Sequence, residues 1–285
     1  MADCAGCTPR TGRSRHRMIY ESPHLRLESD DNVVTLWLDF RGRASHSLNL
    51  PILNELSLVL DRMAGLQTPA AIVIRSRSPR SCLEEFDVRE LARMTSPREL
   101  AALARCGQEV VRKIAKLPAT TFAMIEGRCA GLGLEIALAC TTRIIVDSGE
   151  TRLAFSDLDR GLIPFSGGTL RLPRLVGIQN ALRLWIESRS INPDEAVRLG
   201  LADLLTKPER AGIDLMTCLD RIRQCPDWSP KRMLHRLSTR VSNALFGSMI
   251  LQHAKKSFGT STAVSELLRC VAASRASEGE GLIAE

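Results

Sequence analysis

The chain has 285 residues, 44% apolar and 25% charged, enough apolar content for one large buried core and too balanced for a disordered polyelectrolyte. Its formal charge of +7 favours acidic partners, among them nucleic acid, anionic membrane and phosphorylated small molecules. Aromatic residues are only 4%, which with the lack of a nucleic-acid reading module sets nucleic acid aside, and no apolar run nears the roughly 18 residues of a membrane span. With no apolar signal core at the N-terminus, a cytoplasmic protein without membrane insertion is expected.

Residues 1–17 carry Arg10, Arg13, Arg15 and Arg17 against the single acid Asp3, with no apolar period, and read as a disordered basic tail; Met18 reads as an alternative start. Cys4 and Cys7 have metal-ligand spacing, but tetrahedral zinc needs four ligands and no second pair follows, so no metal is expected. From His24 the apolar residues alternate: Leu25 and Leu27, then Val34, Leu36, Leu38 and Phe40, about a turn at Asp30-Asp31-Asn32. That is a hairpin. Leu50, Leu53, Leu56, Leu60 and Met63 recur at helical spacing, and Ala70–Ile74 reads as a buried strand. A helix over 101–114, a strand over 120–125 and an apolar helix over 132–140 follow, then strands at 144–146 and 153–155. Strands regularly separated by helices imply an α/β architecture. Beyond Pro173 the pattern is helical, over 180–187, 192–200, 213–223 and a long stretch from Pro230 to about Ala273. Lys231, Arg232, Arg236, Arg240, Lys255 and Lys256 read as the solvated basic face of a packed helix, with a phosphate-binding face as the alternative. Cys106, Cys129 and Cys140 lie in apolar segments and read as reduced thiols.

Two segments carry chemistry. In Gly127-Arg-Cys-Ala-Gly131-Leu132-Gly133-Leu-Glu135-Ile-Ala-Leu-Ala-Cys140 a glycine turn opens into a helix whose first amides are ready donors to an anionic oxygen. Glu135 sits in otherwise apolar surroundings, where a carboxylate is costly unless paired or used. Ile136 stands where a dinucleotide fingerprint needs its third glycine, which disfavours a nicotinamide enzyme. The second segment runs from Phe155-Ser-Asp157-Leu-Asp159-Arg-Gly161-Leu-Ile-Pro164-Phe-Ser-Gly167-Gly168 to Gly177, and its glycines, proline and acidic pair read as a loop.

Together these motifs resemble the crotonase (enoyl-CoA hydratase/isomerase) family. Its hallmark is a glycine-rich turn, a Glu and an apolar helix, then an acidic residue ahead of Gly-x-Ile-Pro-x-x-Gly-Gly-Thr-x-Arg-Leu. Ser47-Leu-Asn49, Ala71–Ile74 and Asn192–Asp203 support the match, which covers about residues 20–206. The resemblance implies an α/β fold with a ββα spiral core over 18–206 and a C-terminal helical appendage over 207–285. The appendage is similar to the linker that joins hydratase and dehydrogenase domains in fused β-oxidation proteins.

The resemblance also implies a lyase adding water to a 2-enoyl-CoA in fatty-acid β-oxidation or a related acyl-CoA pathway; a double-bond isomerase and a catalytically weakened acyl-CoA-binding protein are the alternatives. Glu135 and Asp157 would be the acid and base, and the backbone amides of Glu84 and Leu132 would form the oxyanion hole for the thioester oxygen. Gly131, Gly133, Pro164, Gly167 and Gly168 would bind substrate. No cofactor is implied beyond the coenzyme A of the substrate, and the partner would be an acyl-CoA thioester bound by a homotrimer or hexamer. Where the family usually has Phe-x-Ala-Gly-x-Asp, this chain has Cys82-Leu-Glu84-Glu85-Phe-Asp87. The two acids are expected to oppose charge developing on the thioester oxygen and to weaken catalysis. Further departures are Leu132 for a glycine, Asp157 for a Glu, and Thr141 for an acidic residue.

Overall fold

The structure, a computed structural model, describes residues 16–40, 47–67, 69–224, 232–258 and 261–276. The Cys4–Cys7 pair and nearly all of the basic tail lie outside them. The expected hairpin is present as β2 (Leu25–Asp30) and β3 (Val33–Leu38), paired antiparallel about Asp31 and Asn32, both at positive φ; two consecutive left-handed residues make the turn whose twist suits a two-residue hairpin. Ahead of it lies β1 (Arg17–Glu21), antiparallel to β2, which its mixed composition did not announce. Later in the chain comes α1 (Leu50–Ala64), capped by Asn49 Oδ1 accepting from the Ile52 amide at 3.0 Å.

A repeating unit follows in which one strand joins a large sheet, the next joins a small one, and a helix returns. The large-sheet strands are β4 (Ala71–Ser76), β6 (Thr120–Glu126), β8 (Thr142–Val146) and β10 (Leu204–Thr206), in spatial order β1-β2-β3-β4-β6-β8-β10, parallel from β3 onwards. The small sheet holds β5 (Ser81–Leu83), β7 (Arg128–Ala130) and β9 (Arg152–Ala154), all parallel, with β7 central. The intervening helices are α2 (Val88–Leu91), α3 (Pro97–Ala115) and α4 (Leu132–Ala139). Such a chain spirals, and the parallel small sheet brings its three C-terminal strand ends side by side.

α3 begins earlier than its apolar period suggests, because Ser96 and Glu99 form a reciprocal capping box. The 155–177 segment expected as loop contains α5 (Gly168–Val176), which buries Leu172, Pro173 and Val176; burial of this face outweighs the proline. α6 (Ile178–Ile186), α7 (Pro193–Leu199) and α8 (Ala211–Gln224) follow. Helix α8 packs Leu215, Cys218 and Leu219 on the sheet face formed by Val73, Phe122, Met124 and Ile144. The long helix expected after Pro230 is two helices, α9 (Arg232–Phe258) and α10 (Thr262–Ala276); the sequence places Gly259, a poor helix former, between them. Both pack against α5. Cys106, Cys129 and Cys140 are free thiols.

Candidate active site

Each turn of the spiral delivers one piece of the site just past a small-sheet strand: Glu84 and Glu85 after β5, Gly131 and α4 after β7, Ser156 and Asp157 after β9. Close backbone approach explains two glycines. A Cβ on Gly133 would lie 2.5 Å from the Leu83 carbonyl oxygen, so the Leu83–Glu84 peptide packs directly on the first turn of α4. Gly131 has φ +50 and ψ −126 and donates its amide to the Ala154 carbonyl at 3.1 Å, tying the start of α4 to the end of β9. The amide of Leu132 belongs to the first turn of α4, which has no intrahelical acceptor for it, and no side chain caps this helix.

Glu135 is 1% exposed. Its Oε1 accepts from the amides of Ser166 at 2.9 Å and Gly168 at 2.7 Å, while its Oε2 has no partner. Gly167, at φ +98, and Gly168 therefore serve the carboxyl: a Cβ on Gly168 would lie 2.7 Å from Glu135 Oε1 and 3.0 Å from the Pro164 side chain. Thus the second motif, whose Pro164, Gly167 and Gly168 were expected to touch substrate, cradles Glu135. Burial, and next the charge of Asp157, push the Glu135 carboxyl up to about 8, against the lowering effect of the amides. Asp157 is also buried, with Oδ2 unpartnered, and is pushed up to about 6 by burial and then by the charge of Glu85, with Arg160 opposing.

Glu84 and Glu85 have different partners. The Glu84 carboxylate takes a hydrogen bond from Ser81 Oγ at 3.0 Å. Glu85 accepts a short hydrogen bond from Ser156 Oγ, pairs closely with Arg160, and has Arg128 at 3.6 Å. Arginines thus face Glu85, and its charge still acts on Asp157. Ser156, Arg128, Arg160 and Ser166 were not singled out from sequence; the signal for the two arginines was present as basic residues inside the two motifs. Thr141, in place of an acid, exchanges hydrogen bonds with Thr121, its amide donating to Thr121 Oγ1 at 2.8 Å.

A small cavity of about 10 Å³ is lined by Glu85, Phe86, Leu132, Asp157, Arg160 and Phe165 among others, close to the volume one water needs. Beyond Leu91, Leu162 and Phe165, which line both, lies a larger cavity of about 370 Å³ bounded by Leu103, Ala104, Ile163 and α10. Among the described residues no group of three or more His, Cys, Asp or Glu could hold a metal ion, and no helix is long and apolar enough to cross a membrane.

Two buried carboxyls with raised proton affinity lie beside a helix whose first-turn amides have no intrahelical acceptor, an arrangement able to support general acid–base chemistry. Residues 29–245 match the family described as enoyl-CoA hydratase/isomerase, and the chain belongs to that family. It is 30% identical over 255 residues to the fatty acid oxidation complex subunit alpha of Aliivibrio fischeri, covering 86% of this chain and 36% of that protein. The corresponding subunit of Vibrio campbellii is 34% identical over 186 residues, 65% of this chain and 26% of the relative. The chain thus spans about a third or less of the length of these curated relatives. Among solved structures, an enoyl-CoA hydratase from Bacillus anthracis is similar with a TM-score of 0.62 and 25% identity, over 86% of this chain and 89% of that one. One from Geobacillus kaustophilus has a TM-score of 0.67 at 21% identity, over 92% and 90%, and shares the fold. The ββα spiral is the crotonase fold.

Proposed function

We propose that the protein adds water across the double bond of a 2-enoyl-CoA thioester, as a hydratase-like lyase of fatty-acid β-oxidation or a related acyl-CoA pathway. The observation that carries this reading is the pair of unpartnered buried carboxyl oxygens, Glu135 Oε2 and Asp157 Oδ2, on two acids that bind protons near neutrality. One neutral and one ionised carboxyl is the minimum that hydration asks for: the ionised group takes a proton from water as its oxygen attacks the β-carbon, and the neutral one protonates the α-carbon. The thioester oxygen then gains charge, which the amides of Glu84 and Leu132 would stabilise. The closeness of Leu83 to Gly133 supports this pairing of donors.

The acyl-CoA is the only coenzyme the reading requires, and its phosphates suit the net charge of +7. The acyl chain would extend towards the cavity beside α10. The proposal includes a homotrimer or hexamer in the cytoplasm, which light scattering and fractionation check. The decisive assay follows loss of the conjugated enoyl absorbance with the parent, Glu135→Gln and Asp157→Asn. Each substitution should lower turnover about 100-fold or more. Full activity in either variant removes that residue from the chemistry, and loss in Asp157→Asn alone, with 3-enoyl-CoA turned over, would point to double-bond isomerisation instead.

A further inference from the structure

Glu85 holds more of the site together than a spectator acid would. Its backbone is tied by Leu48, whose amide donates to the Glu85 carbonyl at 3.0 Å, while the Asp87 amide donates to the Leu48 carbonyl at 2.7 Å. From this anchor the side chain crosses to the third turn of the spiral. There one carboxylate oxygen accepts from Ser156 and the other pairs with Arg160. Ser156 directly precedes Asp157, and the amides of Arg160 and Leu162 both close on the Asp157 carbonyl at 3.0 Å. Both shoulders of the turn that carries Asp157 are therefore held by one carboxylate. The middle turn of the spiral makes room for it: Glu85 Cγ lies 2.9 Å from where a Cβ on Gly131 would sit, and Asp157 Oδ1 lies 3.4 Å from the same point. Glu85 itself is buried, and a carboxylate so placed is costly to keep unless its partners use it.

We propose that Glu85 is a positioning residue that acts through Asp157, clamping the Asp157 turn by way of Ser156 and Arg160 at the edge of the small cavity. This inference rests on the hydratase reading for its rate effects but not for its geometry. The charged groups around Asp157 are Glu135 from α4, Glu85 from the segment after β5 and Arg160 from its own turn; Arg128 of β7 faces Glu85. Because Glu85 repels a second negative charge and occupies Arg160, it favours the protonated form of Asp157. Removing its charge both relieves repulsion and releases a guanidinium, and the two effects act in the same direction.

The test is Glu85→Gln, which keeps the length and an acceptor for Ser156 but not the charge, with Glu85→Ala, which removes both. With a short 2-enoyl-CoA, Glu85→Gln should lower kcat about tenfold with KM changed less than about threefold, and Glu85→Ala should lower it further. The acidic limb of the pH–rate profile should move down by about half to one pH unit in Glu85→Gln. The Asp157 carboxyl is followed directly by ¹³C NMR, assigned by its loss in Asp157→Asn, and its midpoint should fall by a similar amount. That readout needs no turnover, so an inactive parent would count against the hydratase reading while the clamp is still tested. Should Glu85→Ala fail to fold, the Gln variant carries the comparison. Turnover equal to or above that of an active parent, or an Asp157 midpoint that does not move in folded Glu85→Gln, would overturn the proposal.

Discussion

Glu135 and Asp157 differ in how the chain treats them, and the difference assigns their protonation. Glu135 is the deeper, kept near 8 by burial although two amides favour its ionised form; Asp157, at about 6, has Arg160 close by. Between those values Glu135 keeps its proton and Asp157 has lost its own, so the pair holds one proton in total. In the proposed hydration, acidification below about 6 protonates Asp157 and would remove the base, and alkalinisation above about 8 ionises Glu135 and would remove the acid. The expected kcat/KM profile for a 2-enoyl-CoA is therefore bell-shaped, with limbs near 6 and near 8. Because the two groups interact, the limbs belong to the pair rather than to either residue. A profile that rises monotonically to pH 10 would separate Glu135 from the acid role.

At the scale of elements, strand β8 of the large sheet is held at its start by a buried ion pair. Arg143 and Asp203 are 2.8 Å apart and almost wholly buried. Arg143 also donates to the carbonyls of Leu201 and Cys140, and its amide donates to Asp203 Oδ2. The pair thus ties the end of α4 to the turn before β10. Deleting one partner leaves the other charged and buried, so Asp203→Ala should cost about 3–5 kcal/mol, seen as a lower midpoint in urea with the slope unchanged. A loss under about 1 kcal/mol would show that water reaches Arg143. Much of this layer was legible in the sequence: the hairpin, α1 and the glycine turn into α4 each carry a local signal of period, cap or backbone conformation. The strands β5, β7 and β9 are three residues each, too short for alternation to register, yet they bring the site together. For the same reason the sequence exposed the acidity of Glu84 and Glu85 without their partners. Arg128 and Arg160 reach Glu85 only because the three strand ends lie side by side. α5 was hidden because its glycines and Pro173 are loop signals, and only packing on α6, α9 and α10 makes the helix favourable.

Across the whole molecule, the same spiral that gathers the carboxyls leaves an opening on one flank, and helix α10 lines it. The cavity of about 370 Å³ has one wall from α3, at Leu100, Leu103 and Ala104, one from Leu162, Ile163 and Phe165 beside the carboxyls, and one from α10, at Thr262, Ala263, Glu266, Arg269 and Cys270. Its volume lies at the low end of small-ligand sites, and it meets the site through Leu91, Leu162 and Phe165. A short acyl group would end before reaching it, whereas a longer one would bury its methylenes there, each worth about 0.8 kcal/mol. On the proposed hydratase reading, α10 would therefore set the tolerated chain length, although it carries no group for the chemistry. Filling the space from its side, by Ala263→Trp, should lower kcat/KM for 2-decenoyl-CoA about tenfold or more while crotonyl-CoA changes less than about twofold, since only the longer substrate loses burial. Equal losses on both substrates, with the thermal midpoint unchanged, would mean that the chain leaves the site by another route and that α10 serves the fold alone.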